Sequence, residues 1–161
     1  MSNSTRGIVA GGSTDTAFSP PGVYRNTIDY ITLASLGNAI DFGDLTVTNG
    51  YKSGCQSTTR GIFAGGSDSS VISNVIDYIT IASVGNATDF GDLSPTRGGA
   101  AGCSNKTKGL FMGGFSNTMV ANVTDISQIT IATTSNSTAF GNLLTATSYG
   151  GGGTSNCHGG L

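Results

Sequence analysis

The residues best suited to chemistry in this 161-residue chain are three cysteines and a single histidine. His158 follows Cys157 directly, and a thiol beside an imidazole can serve as a nucleophile with its base. Adjacent residues of an extended chain point in opposite directions, so this pair is poorly placed to share a proton. No Cys-x-x-Cys or His-x-x-x-His spacing occurs, which argues against zinc. The sequence therefore predicts no catalytic residue, no metal, no cofactor and no enzyme.

The remaining cysteines, Cys55 and Cys103, are 48 residues apart and occupy equivalent places in an internal repeat. We expect them to lie on neighbouring inner strands. Small buried thiols are favoured over a disulfide, because the cysteine count is odd and the N-terminus lacks the apolar core of a secretory signal.

Paired aspartates are the other candidate for chemistry, since two carboxylates can share a hard cation. The phrase Asp-Phe-Gly-Asp occurs twice and supplies Asp41 with Asp44 and Asp89 with Asp92. A calcium site needs about six to eight oxygen ligands, and the third copy has Ala139 and Asn142 instead. We therefore favour a role in turns and hydrogen bonding over calcium binding.

These residues lie in a repeat that organises the whole chain. Segment 28–45 returns at 76–93 with 15 of 18 positions identical, and a looser copy runs from 125 to 143. Such a period is typical of repeat architectures, in which each unit buries its apolar faces against its neighbours. Asp29, Asp77 and Asp125 recur before the central strand and are expected to accept backbone N–H groups from adjacent loops.

Each unit contains four predicted strands. An apolar run ending in Gly-Gly comes first, then the strand of the repeated phrase, then a short strand anchored by Phe and Leu. A strand of small residues is expected to close the unit. The sequence thus predicts an all-β domain, 1–161, with units at about 5–57, 58–105 and 106–156, and with 157–161 starting a further strand.

Composition excludes several classes of partner. The net charge is −2 and the basic residues are scattered singly, which argues against nucleic-acid binding. No apolar run approaches the roughly 20 residues that span a bilayer, so no membrane span is predicted. Without a secretory signal, synthesis and initial folding in a cytoplasm are expected.

The spacing of the double glycine and the aromatic residues resembles that of kelch repeats. The second unit carries Gly65-Gly66, Tyr78, Phe90 and Arg97 at the kelch positions of the double glycine, the spaced Tyr, the aromatic anchor and the Arg of the innermost strand. Phe replaces the usual Trp throughout. The resemblance implies a β-propeller of three four-stranded antiparallel blades.

The departures and the blade count shape what the resemblance implies. Asn49 and Ser148 stand near the Arg position in the first and third units, and Ile126 or Gln128 near the Tyr position of the third. Three blades fall below the usual range of about four to eight. We therefore expect self-association, as a dimer closing a six-bladed ring or as an open polymer.

A second resemblance concerns the amino-acid sequence of the repeats themselves. The phrases Ile-Asp-Tyr-Ile-Thr-Ile and Asn-Ala-Thr-Asp-Phe-Gly-Asp-Leu are similar to repeats in structural proteins of tailed phages from aquatic cyanobacteria. This implies a virion component, such as a decoration, fibre or baseplate-associated protein, with other virion proteins and host surface glycans as partners. The alternatives are a bacterial extracellular filament or adhesin subunit and, less favoured, a kelch-bearing copper enzyme, whose Tyr and His ligands one terminal histidine cannot supply.

Binding residues are expected where the copies differ. The three units diverge most in the loops 13–26, 67–74 and 115–122. Within them, Tyr24 and Arg25 are the predicted contact residues for a glycan or protein partner, against the alternative of an ordinary solvated loop.

Overall fold

A computed structural model describes the protein at residues 1–2, 4–14, 23–68, 70–116, 121–147 and 153. These residues form strands and no helix, which confirms the all-β prediction. Accordingly, none of them belongs to a helix long and apolar enough to cross a membrane. The strands are β1 (Arg6–Ala10), β2 (Thr27–Thr32), β3 (Ile40–Asp44), β4 (Ser53–Gln56), β5 (Arg60–Ala64), β6 (Val75–Thr80), β7 (Thr88–Asp92), β8 (Ala101–Ser104), β9 (Lys108–Met112), β10 (Phe115–Ser116), β11 (Ala121–Thr130) and β12 (Thr138–Thr147).

The strands build three antiparallel sheets of unequal size. Sheet 1 has the order β1-β2-β3, and sheet 2 has the order β4-β5-β6-β7. Sheet 3 contains the corresponding series β8-β9-β11-β12, and β10 adds a short fifth strand beside β11. The expectation of four strands in every sheet is therefore wrong for sheets 1 and 3. A strand of only two residues, Phe115–Ser116, accounts for the extra member of sheet 3.

The strand of small residues belongs to the following sheet, which corrects the prediction that it closes its own unit. β4 pairs with β5, and β8 pairs with β9. Only three residues, 57–59, join β4 to β5, whereas eight residues, 45–52, separate β3 from β4. A short connection between antiparallel strands forms a hairpin, so β4 pairs with the strand that follows it.

The three sheets stack through two apolar cores. Each sheet has two faces, which we call its Phe–Leu face and its Ile face, and a Phe–Leu face packs on the Ile face of the following sheet. The Phe–Leu face of sheet 1 (Ile8, Ile28, Phe42, Leu45) packs on the Ile face of sheet 2 (Phe63, Ile79, Ile81). The Phe–Leu face of sheet 2 (Ile62, Ile76, Phe90, Leu93) packs on the Ile face of sheet 3 (Phe111, Ile129, Ile131). All of these side chains are buried.

Loops add hydrogen bonds between neighbouring sheets. Residues 85–87, between β6 and β7, lie against the outer strand of sheet 1. There the Gly85 N–H donates to the carbonyl of Phe42 (2.7 Å), and the Ala87 N–H donates to that of Asp44 (2.7 Å). The side-chain oxygen of Asn86 accepts from the N–H of Asp44 (3.0 Å). Because these bonds have fixed partners, they set the register of one sheet on the next.

Glycine permits the close approach of the inner strands. A Cβ on Gly102 of β8 would overlap the carbonyl oxygen of Gly54 in β4, and Gly153 approaches Gly102 in the same manner. Small residues are expected where backbones meet, because no room is left for a side chain.

Replacement of Gly102 by Ala should therefore destabilise the protein. Gly102 has no positive φ, so the expected loss of about 1–3 kcal/mol would arise from overpacking against the Gly54 backbone. The matched control is Gly50→Ala, because a Cβ there meets the Tyr24 ring at 3.4 Å and the Gly12 backbone at 3.6 Å, both ordinary contact distances. Urea denaturation of both variants measures the difference, and equal stabilities would contradict the packing described for β4 and β8.

Candidate interaction surfaces

Tyr24 and Arg25 lie at the end of the sheets where the variable loops gather. Tyr24 pairs with Ser13 in an isolated bridge, and the N–H of Arg25 donates to the carbonyl of Gly12 (3.0 Å). The Arg25 side chain is exposed, whereas Tyr24 is half-buried, with its ring beside Gly50. The backbone of the pair is thus held in place, and Arg25 is the more accessible member. Their role in binding stays a prediction.

The other variable loops lie at the equivalent end of their own sheets. Ser67 bridges to both Gly50 and Ile72, and Phe115 bridges to Gly98. β4 and β6 start where β5 and β7 end, so loops 65–74 and 93–100 share one end of sheet 2. Parts of the predicted contact loops (15–22, 69 and 117–120) lie outside the described residues, as do Cys157 and His158.

Arg97 is a fully buried cation just before β8. Its Nη1 donates to the carbonyl of Asp125 (2.8 Å), and its Nη2 donates to the carbonyl of Phe111 (3.2 Å) and to the Ser127 hydroxyl (2.5 Å). Desolvation lowers the pKa of the guanidinium to about 10, a shift that Asp125 opposes, and the group stays charged at neutral pH. Arg97 therefore anchors the segment that connects β7 of sheet 2 to β8 onto strands β9 and β11 of sheet 3, and it offers no surface to a ligand.

The segment 45–52, which connects sheet 1 to sheet 2, is anchored on sheet 2 by a buried ion pair. Lys52 Nζ lies 3.7 Å from Asp77 Oδ2, and the hydroxyl of Thr46 donates to Asp77 Oδ1 (2.5 Å). Burial lowers the pKa of Lys52, and the Asp77 carboxylate opposes this shift. Because Asp77 also accepts the N–H of Thr46 (3.3 Å), the prediction that it binds loop backbone is confirmed.

The third aspartate of that predicted set is not equivalent to Asp77. Asp77 lies opposite Phe63 in its sheet, and in sheet 3 the residue opposite Phe111 is Ser127. The two extra residues in the third copy displace Asp125 from this position. Ser127 takes the structural place of Asp77, which explains why Arg97 meets a hydroxyl there.

Two arginines form contacts that the sequence reasoning missed. Arg6 and Arg60 each lie over a tyrosine ring, Tyr30 and Tyr78, with 4.6 Å from Cζ to the ring centroid. Their Nη1 atoms reach the next sheet and donate to the carbonyls of Ile81 and Ile131, both at 2.9 Å. The shared Thr-Arg-Gly spacing before each first strand was the available signal.

The residues considered for chemistry have structural roles where they are described. Cys55 and Cys103 lie on β4 and β8 as predicted, and they are reduced thiols, so the disulfide alternative is wrong. Asp41 and Asp89 accept the N–H groups of Gly43 and Gly91, each at 3.1 Å, which confirms a hydrogen-bonding role. These bonds lie inside β3 and β7, where the strand register shifts, and not in turns. Within the described ranges, no three His, Cys, Asp or Glu side chains are grouped to hold a metal.

The surfaces that stand out are the outer faces of the two end sheets. Val9, Ile31 and Leu33 form the Ile face of sheet 1 and are 71%, 43% and 52% exposed. On the Phe–Leu face of sheet 3, Phe140 is 55% exposed. Phe42 and Phe90 occupy the same position in the other sheets and are each only 2% exposed. Residues that form cores inside the stack thus meet solvent at its two ends.

No protein-family model matches the chain, and no curated protein is significantly similar to it.

Removal of the guanidinium of Arg97 should lower the free energy of unfolding substantially. In Arg97→Met, the carbonyls of Asp125 and Phe111 and the Ser127 hydroxyl lose the guanidinium as a donor, although the Asp125 carbonyl keeps the N–H of Gly113. We expect a loss of about 2–4 kcal/mol in the free energy of unfolding. The figure stays below the sum of three hydrogen bonds because a desolvated charge is removed as well.

The matched control is Arg25→Met, at an exposed arginine, which should shift the free energy of unfolding by less than about 0.5 kcal/mol. Chemical denaturation followed by circular dichroism measures both variants. Equal stability of the two would show that the guanidinium of Arg97 does not anchor the segment before β8 on sheet 3.

Proposed function

We propose that this protein is a non-enzymatic structural and recognition component that assembles through its end sheets. The observation that carries the proposal is the exposure of Val9, Ile31 and Leu33 at one end of the stack and Phe140 at the other. A contiguous apolar surface exposed to water is unfavourable in a monomer and is typical of an interaction site. Association would remove both surfaces from water together.

The assembled form that we propose is a kelch-like β-propeller. It is supported by the antiparallel sheets stacked face to face, by the close approach of the inner strands β4 and β8, and by the sequence resemblance to kelch units. Two chains would supply six sheets, a number within the range that propellers use. In this arrangement the glycine-rich inner strands would surround the axis.

We further propose that the assembly is part of the virion of a tailed phage, as a decoration, fibre or baseplate-associated protein. Support comes from the similarity of the repeat phrases to those of phage structural proteins, and other virion proteins would be its neighbours. The buried charged groups Lys52, Asp77 and Arg97 anchor the segments that connect one sheet to the next, as expected in a scaffold. The alternative is a subunit of a bacterial extracellular filament, which an end-to-end contact that never closes would generate.

Recognition is assigned to the loop end of the sheets, with host surface glycans as the proposed ligand. The exposed guanidinium of Arg25 can donate paired hydrogen bonds to a sugar or its carboxylate, and the half-buried Tyr24 ring lies beside it. Assembly would bring several copies of this pair to one side of the particle and raise the avidity for a repeated surface glycan.

Self-assembly is the first test of this role. Purified protein should sediment as an oligomer, and electron microscopy should show closed rings for the virion proposal or fibres for the filament alternative. Both forms depend on end-sheet contacts, so particle shape distinguishes them. A single chain at every concentration would contradict an assembling structural role.

Glycan binding is the second test, and it is made on the assembled protein. On an array of bacterial surface polysaccharides, Arg25→Ala should lower binding about tenfold or more, since a charge-assisted hydrogen bond is lost. Val71→Ala is the control, because Val71 is exposed on another variable loop and its side chain has no polar atom that could bind a glycan. Unchanged binding by Arg25→Ala would remove this residue from the proposed site.

A further inference from the structure

We infer that copies of this chain join head to tail, with the Ile face of sheet 1 in one copy stacked on the Phe–Leu face of sheet 3 in the next. The inference rests on the proposed self-assembly and gives it a partner surface and a register. The partner is a second copy because the chain itself contains the same interface twice, between sheets 1 and 2 and between sheets 2 and 3.

The apolar halves of this third interface are both present. The Phe–Leu face of sheet 3 is formed by the residues equivalent to the buried sets of the other sheets, namely Leu110, Ile126, Phe140 and Leu143. The Ile face of sheet 1 offers Val9, Ile31 and Leu33 where sheet 2 buries Phe63, Ile79 and Ile81. Two complementary apolar faces therefore lie at opposite ends of one molecule. Such a pair of different surfaces is the condition for a heterologous, head-to-tail contact.

The inferred interface also has the two groups needed for its polar contacts, a loop that contains Asn and the outer strand to which such a loop bonds. Within the chain, the side-chain oxygen of Asn86 accepts the N–H of Asp44, and the N–H of Ala87 donates to the carbonyl of Asp44. Asn136 and Ser137 make the same two bonds to Asp92. The equivalent loop of sheet 1, Gly37-Asn38-Ala39, is fully exposed. In the inferred register, Asn38 of the next copy accepts the N–H of Asn142. The N–H of Ala39 in that copy donates to the carbonyl of Asn142.

Gly141 supports this register by an independent observation. Its equivalents, Gly43 and Gly91, have φ near +140° and lie so close to the next sheet's loop that a Cβ would come within 2.6 Å and 2.5 Å of its backbone. Gly141 has no positive φ, and among the described residues no atom lies within 4 Å of the position its Cβ would take. A second copy, placed as sheets 2 and 3 are placed on their predecessors, puts the 37–39 loop into this space.

Lys108 supplies a cation at the edge of the inferred interface. Arg6 and Arg60 each donate to a carbonyl in the following sheet, at Ile81 and Ile131. Lys108 is their equivalent in sheet 3, and its Nζ is exposed and bonded to Gln128 (2.9 Å). The residue of sheet 1 equivalent to Ile81 is Leu33, so the Leu33 carbonyl of the next copy is the acceptor that the register assigns to Lys108.

One position departs from the repeated interface. Thr46 and Ser94 contact Asp77 and Ser127 of the next sheet, whereas sheet 3 has Leu144 at this position. Asp29 of the next copy, which is equivalent to Asp77, thus lacks a hydroxyl donor. Leu144→Thr restores the donor and should strengthen association about threefold to tenfold.

The experiment combines two variants that each disable one end. Phe140→Asp alters the sheet 3 face, and Val9→Asp alters the sheet 1 face; both residues are mostly exposed, so the fold should survive, as circular dichroism and thermal unfolding will verify. By sedimentation, each variant alone should be a single chain, with association weakened about a hundredfold or more. An equimolar mixture should form a dimer and stop there, because one intact interface remains.

The controls separate the interface from general apolar exposure. Val71→Asp changes a 61% exposed side chain on a loop of sheet 2 and should assemble like the unmodified chain. At concentrations where both are single chains, Gly141→Ala should unfold at the same temperature as the unmodified chain. It should nevertheless associate about tenfold or more weakly, since the 37–39 loop of the next copy fills that space.

The outcomes distinguish this inference from the proposed function. If the unmodified chain assembles and either end variant still assembles alone, the contact is not head to tail, although the structural role stands. If the mixed variants fail to form a dimer, the two faces are not partners and the inference is overturned. If the unmodified chain never assembles, the proposed role fails first and the inference with it.

Discussion

Stacking of a Phe–Leu face on an Ile face is the interaction on which the rest of the structure depends. A sheet of three to five short strands buries little by itself, and each buried Phe or Ile contributes about 2 kcal/mol only when a second sheet covers it. Sheet 2 is covered on both sides and contains much of the core, from Ile62 to Leu93. Sheets 1 and 3 each have one covered face. The molecule thus contains two buried interfaces and has an uncovered apolar face at each end of the stack.

Polar contacts fix how the sheets lie on one another. Arg97, Lys52 with Asp77, and the Asn86 loop all connect a segment at the edge of one sheet to the backbone or side chains of the next. Burying such charges costs desolvation energy, so their contribution to net stability is modest. Their benefit is directional, because a sheet displaced by one residue would leave a buried cation or carboxylate without its partner. Apolar stacking holds the sheets together, and these groups select one register.

Much of the fold followed from the repeat, and the differences have local physical causes. The 48-residue period, the Gly-Gly positions and the Phe and Leu anchors predicted the strands and the buried faces. Periodicity could not assign β4 to a sheet, because a strand between two units is adjacent in sequence to both, and only the short 57–59 hairpin decides. Asp125 was misaligned because the insertion in the third copy precedes β11, and pairing with β9 reveals the true register.

The candidate surfaces were less accessible to sequence reasoning. Val9 and Phe140 have the same residue types as buried positions elsewhere, and only the place of their sheets at the ends of the stack exposes them. Tyr24 was expected on an exposed loop, yet a contact with distant Gly50 covers part of its ring. The variable loops were found from disagreement among the copies, a signal that locates a surface without identifying what it binds. The arginines over Tyr30 and Tyr78 depended on cross-strand pairing that letters alone do not show.

The 57–59 and 105–107 hairpins also define how such a chain could grow. Since each inner strand is tied to the sheet that follows it, the segment that can be duplicated or excised without dividing a sheet runs from about 46 to 93. That segment carries a whole sheet, both of its apolar faces and its loop contacts. Lengthening the chain by one such segment therefore creates no new kind of junction, so the stack can grow by whole sheets.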